Sequence, residues 1–369
     1  MLLINQLKKI LTDKLFLISL GVLILVNFIG HMQPADIDWA TIGTLFALMV
    51  VVQLMNHLNI LISISDHLIK MVDNGRRFAQ LMIVIAFLGA MVMTNDVAII
   101  SIVPLYLFTA RKYHLPIIMP ATLITIAANL GSVLTPFGNP QNLFIFNHYH
   151  FAVTRFFIIT GPLVAISLLL ILLVTMTIQK KPFQPHSQSI QLGDQRSLMV
   201  TLGLAIIVLA GVFKLVAIPV IVVAAILVTI WIDRKILLTV DYSLLLTFAC
   251  FFLIAGILSR DQFVTTVIHD LMRTPTSTYL TSIGASQLIS NVPAAVLLAN
   301  FTSNGTALLL GTNIGGLGTL VASLANLLAL KQVVAFQRSA ALPFIKTFTI
   351  VNVILLVIIG IIGWIMLII

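Results

Sequence analysis

The chain has 369 residues, of which 60% are hydrophobic and 8% are charged, and it carries a net charge of +9. Soluble domains contain about 25% charged residues, so this composition excludes a soluble fold and predicts a polytopic membrane protein. All 11 acidic residues are aspartate, which excludes a His-Glu-x-x-His zinc site, and the single Cys250 excludes a disulfide framework. No Gly-x-x-x-x-Gly-Lys phosphate loop occurs, so the chain is not expected to hydrolyse ATP by itself.

Apolar runs separated by charged residues or prolines predict the membrane spans. They lie at 15–31, 40–58, 117–147, 156–178, 198–214, 217–233, 243–259, 305–330 and 345–369. The first run comes after Lys8, Lys9 and Lys14, but no small-residue cleavage pattern follows it. It is therefore interpreted as a span rather than as a signal peptide.

Two further apolar runs, 78–109 and 275–302, are interrupted by polar residues near their middles. The interruptions are Met93-Thr94-Asn95-Asp96 and Ile289-Ser290-Asn291-Val292-Pro293. Each half of these runs has about 12–17 residues, too few to cross a bilayer at about 1.5 Å per residue. We therefore predict two re-entrant helical hairpins whose tips reach the middle of the membrane.

The basic residues agree with this arrangement when the N-terminus is cytoplasmic and both hairpins return to their own side. Cytoplasmic positions then hold 16 of the 20 basic residues, namely Lys8, Lys9, Lys14, Lys70, Arg76, Arg77, Arg111, Lys112, Lys180, Lys181, Arg196, Arg234, Lys235, Lys331, Arg338 and Lys346. Outside lie Arg155, Lys214, Arg260 and Arg273. The positive-inside rule requires this asymmetry, which explains the net charge without a nucleic-acid partner. The prediction is a protein of the plasma membrane with an external C-terminus.

The chain also divides into two similar halves. The longest polar stretch, 179–197, predicts a cytoplasmic linker between the halves 1–178 and 198–369. Five residues recur at a constant offset of 184, since Asn129, Gly131, Thr135, Asn142 and Leu143 match Asn313, Gly315, Thr319, Asn326 and Leu327. We therefore predict an all-α polytopic membrane protein of two inverted repeats, each with a re-entrant helical hairpin and a broken transmembrane helix. This pattern is typical of secondary transporters.

The breaks in each half predict a cavity, because a helix interrupted in lipid leaves backbone groups that protein, water or ligand must satisfy. Helix N-termini at such a cavity favour an anion, and freed carbonyls favour a cation. The predicted substrate- and ion-binding residues are Thr94, Asn95, Asp96, Asn129, Gly131, Thr135, Gly138, Asn139, Asn142, Ser290, Asn291, Asn313, Gly315, Gly316, Thr319, Ser323 and Asn326. The alternative is structural, since small residues also mediate helix packing in membranes. No cofactor is expected apart from a bound Na+.

Asp96 is the acidic residue placed deepest in the apolar runs, and it is predicted to be the coupling residue. A carboxylate inside the membrane costs about 2.5–3.5 kcal/mol on insertion scales and therefore indicates function by default. It would carry a coupling proton or help to bind a cation, and the alternative is a structural N-cap of the second hairpin helix. His148 and His150 offer two metal ligands, but a His-x-His pair in a loop is commonly polar surface.

These motifs resemble the ion-transporter superfamily, in particular its arsenite permeases and sodium/proton antiporters, with citrate transporters as more distant relatives. The similar segments are Thr94-Asn95-Asp96, Asn129 to Asn142 with its Gly-Asn-Pro-x-Asn core, Ser290-Asn291, and Asn313 to Asn326. The Asn-Asp pair at the first tip and Ser323-Leu-Ala-Asn326-Leu are similar to arsenite permeases. Dicarboxylate symporters carry Ser-Asn-Thr at both tips, so the tips of this chain disfavour citrate or succinate.

The resemblance implies a permease for a small inorganic anion or an arsenite-like solute, coupled to H+ or Na+. It also implies a homodimer, an elevator-type movement of a transport domain against a scaffold, and an accessory ATPase subunit as an optional partner. The alternatives are a Na+/H+ antiporter in which Asp96 exchanges a cation for a proton, and more distantly a di- or tricarboxylate transporter or a channel. An enzyme is not expected, because neither Gly-x-Gly-Asp nor Gly-x-Ser-Gly occurs.

Overall fold

A computed structural model of the protein describes residue 8, residues 10–60, residue 63, and residues 72–182 and 192–369. Within these ranges the chain is helical and forms no strand, which confirms the predicted all-α class. Lys9 and Lys70 of the charge pattern lie outside the described residues, as does the middle of the predicted linker (183–191).

The helices follow the predicted runs closely. In the first half they are α1 (Lys14–Val26), α2 (Trp39–His57), α3 (Gly75–Met93), α4 (Asn95–Lys112), α5 (Ile118–Gly131), α6 (Pro140–His148) and α7 (Val153–Val174). In the second half they are α8 (Gln195–Val212), α9 (Ile218–Asp233), α10 (Tyr242–Arg260), α11 (Gln262–Leu271), α12 (Pro275–Ile289), α13 (Asn291–Ala299), α14 (Gly305–Gly315), α15 (Leu324–Phe336) and α16 (Ala341–Ile368). Among the described residues, the segments long and apolar enough to span a membrane are Trp39–His57, Gly75–Met93, Val153–Thr177, Gln195–Val212, Tyr242–Arg260 and Arg338–Ile368.

Aspartate side chains begin several of these helices. At the start of α2, Asp38 accepts hydrogen bonds from the backbone N–H (3.0 Å) and the hydroxyl (2.6 Å) of Thr41. Helices α1, α8, α10 and α11 are capped in the same way by Asp13, Asp194, Asp241 and Asp261. A short carboxylate suits this position because it reaches the unpaired N–H groups of the first turn and complements the helix dipole. The acidic residues of the chain therefore mark where many of its helices begin.

The helix pairs α3–α4 and α12–α13 are hairpins, each bent at a single residue. Phe78 near the start of α3 stacks on Tyr106 in the second half of α4, with ring centroids 5.1 Å apart. In the second pair, the hydroxyl of Thr278 near the start of α12 lies 3.3 Å from that of Thr302, just beyond α13. The chain therefore turns back on itself at both polar interruptions. That the hairpins re-enter the membrane from one side stays a prediction.

The arms of the first hairpin are longer than the sequence predicts. Helix α3 has 19 residues and α4 has 18, whereas α12 has 15 and α13 has 9. The predicted run 78–109 stops where basic residues begin, but Arg76, Arg77, Arg111 and Lys112 continue the two helices at their outer ends. The argument that each arm is too short to cross a bilayer is therefore wrong for the first hairpin, and it holds for the second.

Each half also contains one helix that stops and then resumes. Helix α5 ends at Gly131, a 3-10 turn follows at Ser132–Leu134, and α6 begins at Pro140. Helix α14 ends at Gly315, and α15 begins at Leu324, after eight residues in turns and bends (316–323). The spans predicted at 117–147 and 305–330 are therefore broken, as expected, although α15 continues to Phe336.

The two halves are interlocked at the hairpins. Within each half, the first hairpin arm packs on the helix before the break, α3 on α5 and α12 on α14. Between the halves, the second arm packs on the helix after the break, α4 on α15 and α13 on α6. Because each second hairpin arm packs on the other half, both hairpin tips and both breaks lie in one region of the protein.

The connecting loops gather at two opposite ends of the helices. At one end, the Gly75 N–H donates to the Lys181 carbonyl at 2.8 Å. At the other end, the Arg260 guanidinium donates to the His31 carbonyl at 2.9 Å. Both contacts join loops that the charge pattern assigns to the same side of the membrane. The choice of which end faces the cytoplasm stays a prediction.

Candidate functional site

A residue with unusual backbone geometry lies at the tip of each hairpin. Thr94 has φ 73° and ψ 153°, and Ser290 has φ 74° and ψ 151°. Residues with side chains rarely adopt positive φ, and the conformation is least favourable for β-branched residues such as threonine. The two tips therefore share one strained conformation, which the surrounding contacts must hold in place.

The backbone of each tip is anchored to the break in its own half. The Asn95 N–H donates to the Gly138 carbonyl at 3.2 Å, and the Asn291 N–H donates to the Ala322 carbonyl at 2.9 Å. Gly138 and Ala322 are related by the offset of the repeated motifs (322 − 138 = 184). Equivalent main-chain bonds therefore position both tips.

Four buried asparagines link the two breaks to each other. Asn129 Nδ2 donates to Asn326 Oδ1 at 2.7 Å, and Asn313 Nδ2 donates to Asn142 Oδ1 at 2.6 Å. Because Asn129 and Asn142 are equivalent to Asn313 and Asn326 in the sequence motifs, these two bonds are reciprocal. The four residues are at most 7% exposed, so the loss of one amide would leave buried partners unsatisfied.

The same asparagines also satisfy carbonyl groups that the breaks leave free. Asn142 Nδ2 donates to the Thr135 carbonyl and Asn326 Nδ2 donates to the Thr319 carbonyl, both at 3.1 Å. Without such partners, the broken backbone would place unpaired carbonyls in apolar surroundings. These amides support the breaks, and they do not line the two central cavities described below.

Two of the predicted glycines allow close packing of the broken helices. A Cβ atom at Gly131 would overlap the Phe87 carbonyl on α3. A Cβ atom at Gly315 would lie 2.6 Å from the Ser286 hydroxyl on α12. Only glycine therefore lets each broken helix approach its hairpin this closely.

The first residues of four helices surround one small cavity of about 10 Å³. Its wall consists of Asn95 and Asp96 of α4, Pro140 and Gln141 of α6, Asn291 and Val292 of α13, Leu324 of α15 with its N-cap Ser323, and Leu244 of α10. The volume is close to the space that a single water molecule needs. Each helix N-terminus carries about half of a positive elementary charge, so the convergence of four such ends favours negative charge here.

A second cavity of about 140 Å³ adjoins the first at Asp96, Pro140 and Leu244. Its polar wall residues are Gln53, Thr94, Asp96, Asn139 and Asp241, and its apolar wall comes largely from α2 and α4. Among the residues that the structure describes, no Lys, Arg or His lines either cavity. The charged side chains at the site are therefore carboxylates.

Asp96 lies where the two cavities meet. Within the described part of the chain, its carboxylate makes no hydrogen bond or ion pair, whereas its own N–H donates to Asn95 Oδ1 at 3.0 Å. The N-cap residue of α4 is Thr94, so the interpretation of Asp96 as a helix cap is wrong. Other aspartates cap helices or face an arginine, as Asp36 faces Arg260.

Apart from Ser290, the predicted site residues fall into two groups. Those that line one of the two central cavities are Thr94, Asn95, Asp96, Asn139, Asn291 and Ser323. Those that lie in or beside the breaks without lining these cavities are Asn129, Gly131, Thr135, Gly138, Asn142, Asn313, Gly315, Gly316, Thr319 and Asn326. Ser290 lines a separate apolar cavity between α1 and the second hairpin. Only the first group is placed to touch a solute bound at the centre.

Sequence reasoning missed Gln287, which holds the second break. Its Nε2 donates to the carbonyls of Gly315 (2.7 Å) and Leu317 (3.0 Å), and its Oε1 accepts from the Thr319 N–H (3.0 Å). Gly318 lies within this loop with φ 98°, a conformation that favours glycine. The available signal was the one glutamine in α12, three residues before the second tip.

Sequence reasoning also missed Asp241 and Gln141 as cavity residues. Asp241 caps α10 through the Leu244 N–H (3.2 Å), and its position lines the larger cavity together with Asp96. Gln141 is 2% exposed and lines the smaller cavity. Asp38-Trp39 opens α2 and Asp241-Tyr242 opens α10, but this similarity does not show that α10 lies beside the tip of the first hairpin.

The histidine pair at the end of α6 gives no support for a metal site. Within the described ranges, no group of three metal-ligating side chains comes together. His150 Nδ1 instead lies 3.2 Å from Lys214 Nζ, and a cationic neighbour disfavours a metal ion.

Known proteins similar to this chain are membrane proteins and transporters. The citrate transporter family matches residues 8–306. The inner membrane protein YbiR of Escherichia coli is 34% identical over 325 residues, which cover 86% of each chain. An uncharacterized transporter of Methanocaldococcus jannaschii is 33% identical over 327 residues, covering 86% of this chain and 88% of the relative. The silicon efflux transporter LSI3 of rice matches 131 residues at 30% identity, or 34% of this chain and 27% of its own.

One solved structure extends the likeness to the fold. The crystal structure of the Alcanivorax borkumensis YdaH transporter, described as having an unusual topology, superposes with a TM-score of 0.55. The superposition covers 89% of this chain and 85% of that chain at 15% sequence identity. At this level of identity the likeness concerns the fold alone.

Proposed function

The chain belongs to the citrate transporter family, and we propose that it is a secondary active transporter for a small inorganic anion or an arsenite-like solute, coupled to H+ or Na+. As a member of this family it is an integral membrane transporter and not an enzyme. The observation that carries the proposal is the convergence of four helix N-termini on one cavity, whose described wall contains no Lys or Arg. Such a site stabilises negative charge or solute oxygens through backbone dipoles alone.

The size and charge of the site favour a small solute. The two adjoining cavities measure about 140 and 10 Å³, which leaves room for only a few water molecules. Their described walls also lack the bidentate arginines that recognise carboxylates well. The rice relative is a silicon efflux transporter, which supports an inorganic solute over citrate.

Asp96 is the proposed coupling residue. It lies at the junction of the cavities, and neither a helix cap nor a basic partner occupies its carboxylate in the described structure. A membrane carboxylate without such a partner is favoured when it binds a proton or a cation during the transport cycle. Asp96 is therefore better placed than Asp241, the other aspartate at the site, to bind a coupling proton or Na+.

We also propose that the halves 1–178 and 198–369 are inverted repeats that move by an elevator-type mechanism. The reciprocal asparagine bonds and the equivalent tip anchors support this proposal, because they recur at the offset of the sequence motifs. The family resemblance adds a homodimer and an optional ATPase partner. The mass of the purified protein with its detergent subtracted, and co-purification from native membranes, test these two points.

A Na+/H+ antiporter is the second candidate, and a specific observation favours it. Two carboxylates, Asp96 and Asp241, line the same cavity of about 140 Å³. Carboxylate oxygens with Gln53, Thr94 and Asn139 nearby offer oxygen ligands to a hard cation. In this alternative Asp96 would bind Na+ and H+ in turn, and no anion would cross.

Proton movement in everted membrane vesicles distinguishes the two candidates. Vesicles with and without the protein are energised, and Na+, Li+, arsenite, phosphate and nitrate are added separately. Collapse of the pH gradient by Na+ or Li+ alone would establish the antiporter. Proton-linked movement of arsenite or of one anion, with no response to the cations, is the result that we expect.

The variant Asp96→Asn tests the coupling role. We expect it to insert normally and to lose accumulation of the solute by at least about 100-fold, since an amide cannot carry the coupling proton. Asp270→Asn is the matched control, because Asp270 is exposed and pairs with Arg273 away from the cavities. Full accumulation in Asp96→Asn would remove Asp96 from the mechanism.

A further inference from the structure

The small cavity has an unusual balance of charge. Four helix N-termini point their positive ends toward it, while Asp96 is the one charged side chain in its described wall. All four helices, α4, α6, α13 and α15, have at least nine residues, so each contributes a full terminal dipole. Together the four ends carry about two positive charges, and the two carboxylates of the joined cavities, Asp96 and Asp241, already supply two negative charges.

We propose that the joined cavities hold one exchangeable negative charge at Asp96, either the ionised Asp96 carboxylate or a bound anion beside protonated Asp96. Each anion would then enter the site together with one proton. The proposal rests on the anion-transport function above, and it specifies how the anion and the proton are coupled. It assigns the coupling to charge exchange between Asp96 and the substrate, not to a separate proton pathway.

Gln141 provides an independent indication that a ligand belongs here. Its side chain lines the same cavity and is 2% exposed, and Gln141 Oε1 has no hydrogen-bond partner in the described structure. A buried amide oxygen without a donor costs about 1–3 kcal/mol. A protonated carboxyl at Asp96, a hydroxyl of a bound oxyanion or a water molecule would supply the missing donor after a small rotation of the amide.

The surroundings of Asp96 make the exchange of charge necessary. The other charged group at the joined cavities is Asp241 on α10, which adds negative potential. From α2, α6, α13 and α15, the described wall residues are polar or apolar and carry no charge. An anion that entered next to an ionised Asp96 would therefore meet like charge with no basic side chain to offset it.

Linkage gives this proposal a measurable signature. If anion binding requires protonation of Asp96, the anion and the proton raise each other's affinity by the same factor. The dissociation constant of the anion should then rise about tenfold per pH unit wherever Asp96 is ionised in the empty protein. An anion that binds without a proton would show no such slope.

Calorimetric titration of the purified full-length protein in detergent tests the signature. Nitrate and arsenite are titrated at several pH values in two buffers of different ionisation heat, which gives the number of protons taken up per solute bound. We expect about one proton per nitrate in the wild type. Asp96→Asn should bind the same anion with no proton uptake and with an affinity independent of pH.

Asp270→Asn is the matched control for a carboxylate away from the site. Asp270 is exposed and pairs with Arg273, and it lines neither cavity, so this variant should still take up about one proton per anion. Retention of the proton uptake in Asp96→Asn would overturn the proposal. The pH slope of the wild type decides the question even if Asp96→Asn does not fold.

Two outcomes separate this proposal from the function on which it rests. Binding and transport of an anion with no proton uptake, or of neutral arsenite alone, would overturn charge exchange and leave the transporter assignment intact. Failure of every solute in the vesicle panel to move would overturn the proposed substrate class, and charge exchange with it.

Discussion

The two breaks of the protein share a backbone plan but are held in different ways. In the second half, the Gln287 amide binds the backbone of the loop at Gly315, Leu317 and Thr319. In the first half, the equivalent position is Met91, given by the offset between the tips (291 − 95 = 196). A thioether offers none of these strong hydrogen bonds, so the first break lacks this clamp.

The hairpin tips also share a backbone conformation but differ in one side chain. The first tip places the ionisable Asp96 at the cavities, whereas Val292 occupies the equivalent position of the second tip. Equivalent asparagines and main-chain bonds shape both halves, while Asp96 and Gln287 occur in one half each. Repeated residues therefore set the geometry, and the residues that differ between the halves set the chemistry.

The largest loss of stability is expected at the asparagines that are repeated in both halves. Asn129→Ala removes the donor to Asn326 Oδ1 and the acceptor of Asn95 Nδ2 (3.0 Å), leaving these two buried atoms without the bonds they make to Asn129. We expect a loss of about 2–4 kcal/mol in the free energy of unfolding. Asn313→Ala should cost a similar amount, because it breaks the reciprocal bond. Unfolding of the purified variants by SDS in mixed micelles measures both losses.

Double-mutant cycles sharpen this comparison. The pairs Asn129–Asn326 and Asn313–Asn142 should each show a coupling energy of about 1–3 kcal/mol, since direct contacts are not additive. Asn129 with Asn352 is the control pair, because Asn352 is buried in α16 and bonds only to its own helix, at the Phe348 carbonyl. Additivity in either reciprocal pair would contradict the equivalence of the halves.

The sequence predicted the hairpin tips, because polar residues in the middle of an apolar run are seldom found in a continuous membrane helix. Thr94-Asn95-Asp96 and Ser290-Asn291 interrupt runs that are otherwise apolar, and the structure bends the chain at Thr94 and Ser290. The repeated asparagines predicted that the breaks belong together. Hydropathy and the polar interruptions therefore predicted the residues at which both hairpins turn.

The sequence could not show which polar residues support the breaks and which line a cavity. Asn129 and Asn139 belong to the same motif, yet Asn129 is locked between the halves while Asn139 lines a cavity. That distinction depends on which side of each helix faces the other half. The role of Gln287 depends likewise on the contact between α12 and the second break, which a search for repeated residues cannot find.

A smaller loss of stability is expected from substitution of Gln287, which holds only the second break. Gln287→Met copies the first half into the second and leaves two carbonyls and one N–H without partners. We expect a cost of about 1–3 kcal/mol and amide hydrogen exchange in the loop 316–323 that is at least about tenfold faster. Mass spectrometry of peptides from this loop measures the exchange.

Met91→Gln is the reciprocal change, and it should leave exchange in the first break nearly unaltered. The Thr135 hydroxyl bonds to the main-chain carbonyl of residue 91 (2.7 Å), and this bond does not depend on the side chain. Equal exchange in the two loops of the wild type, or no acceleration in Gln287→Met, would show that the glutamine does not hold the second break.

The smallest loss of stability is expected at the ion pair between Arg260 and Asp36, which lies away from the cavities and has no equivalent in the first half. Arg260 at the end of α10 forms two bonds to the Asp36 carboxylate (2.7 and 2.9 Å), which tie α10 to the loop after α1. Counting from the matching caps Asp38 and Asp241 (241 − 38 = 203), the equivalent residue of α2 is His57. This fastening therefore uses a charge pair that the first half does not repeat.

The hydrogen bonds from Arg260 lower the pKa of Asp36 below its usual value. A carboxylate with a depressed pKa stabilises the fold above its unfolded value, about 3.9, and that contribution is lost as the pH falls through the folded pKa. Because the Arg260 side chain is 37% exposed, solvent screening limits the expected cost of Arg260→Gln to about 0.5–1 kcal/mol at pH 7. The difference from the wild type should shrink below about pH 4.

Arg77→Gln is the matched control for this last prediction. Arg77 pairs with Asp73 within a single segment, with both side chains more than 60% exposed (62% and 65%), so its loss should change stability by less than about 0.5 kcal/mol. SDS unfolding of the three proteins at pH 7 and at pH 3 gives the comparison. If Arg260→Gln matched Arg77→Gln at pH 7, the pair with Asp36 would be an ordinary surface contact, and the attachment of α1 to α10 would rest on apolar packing alone.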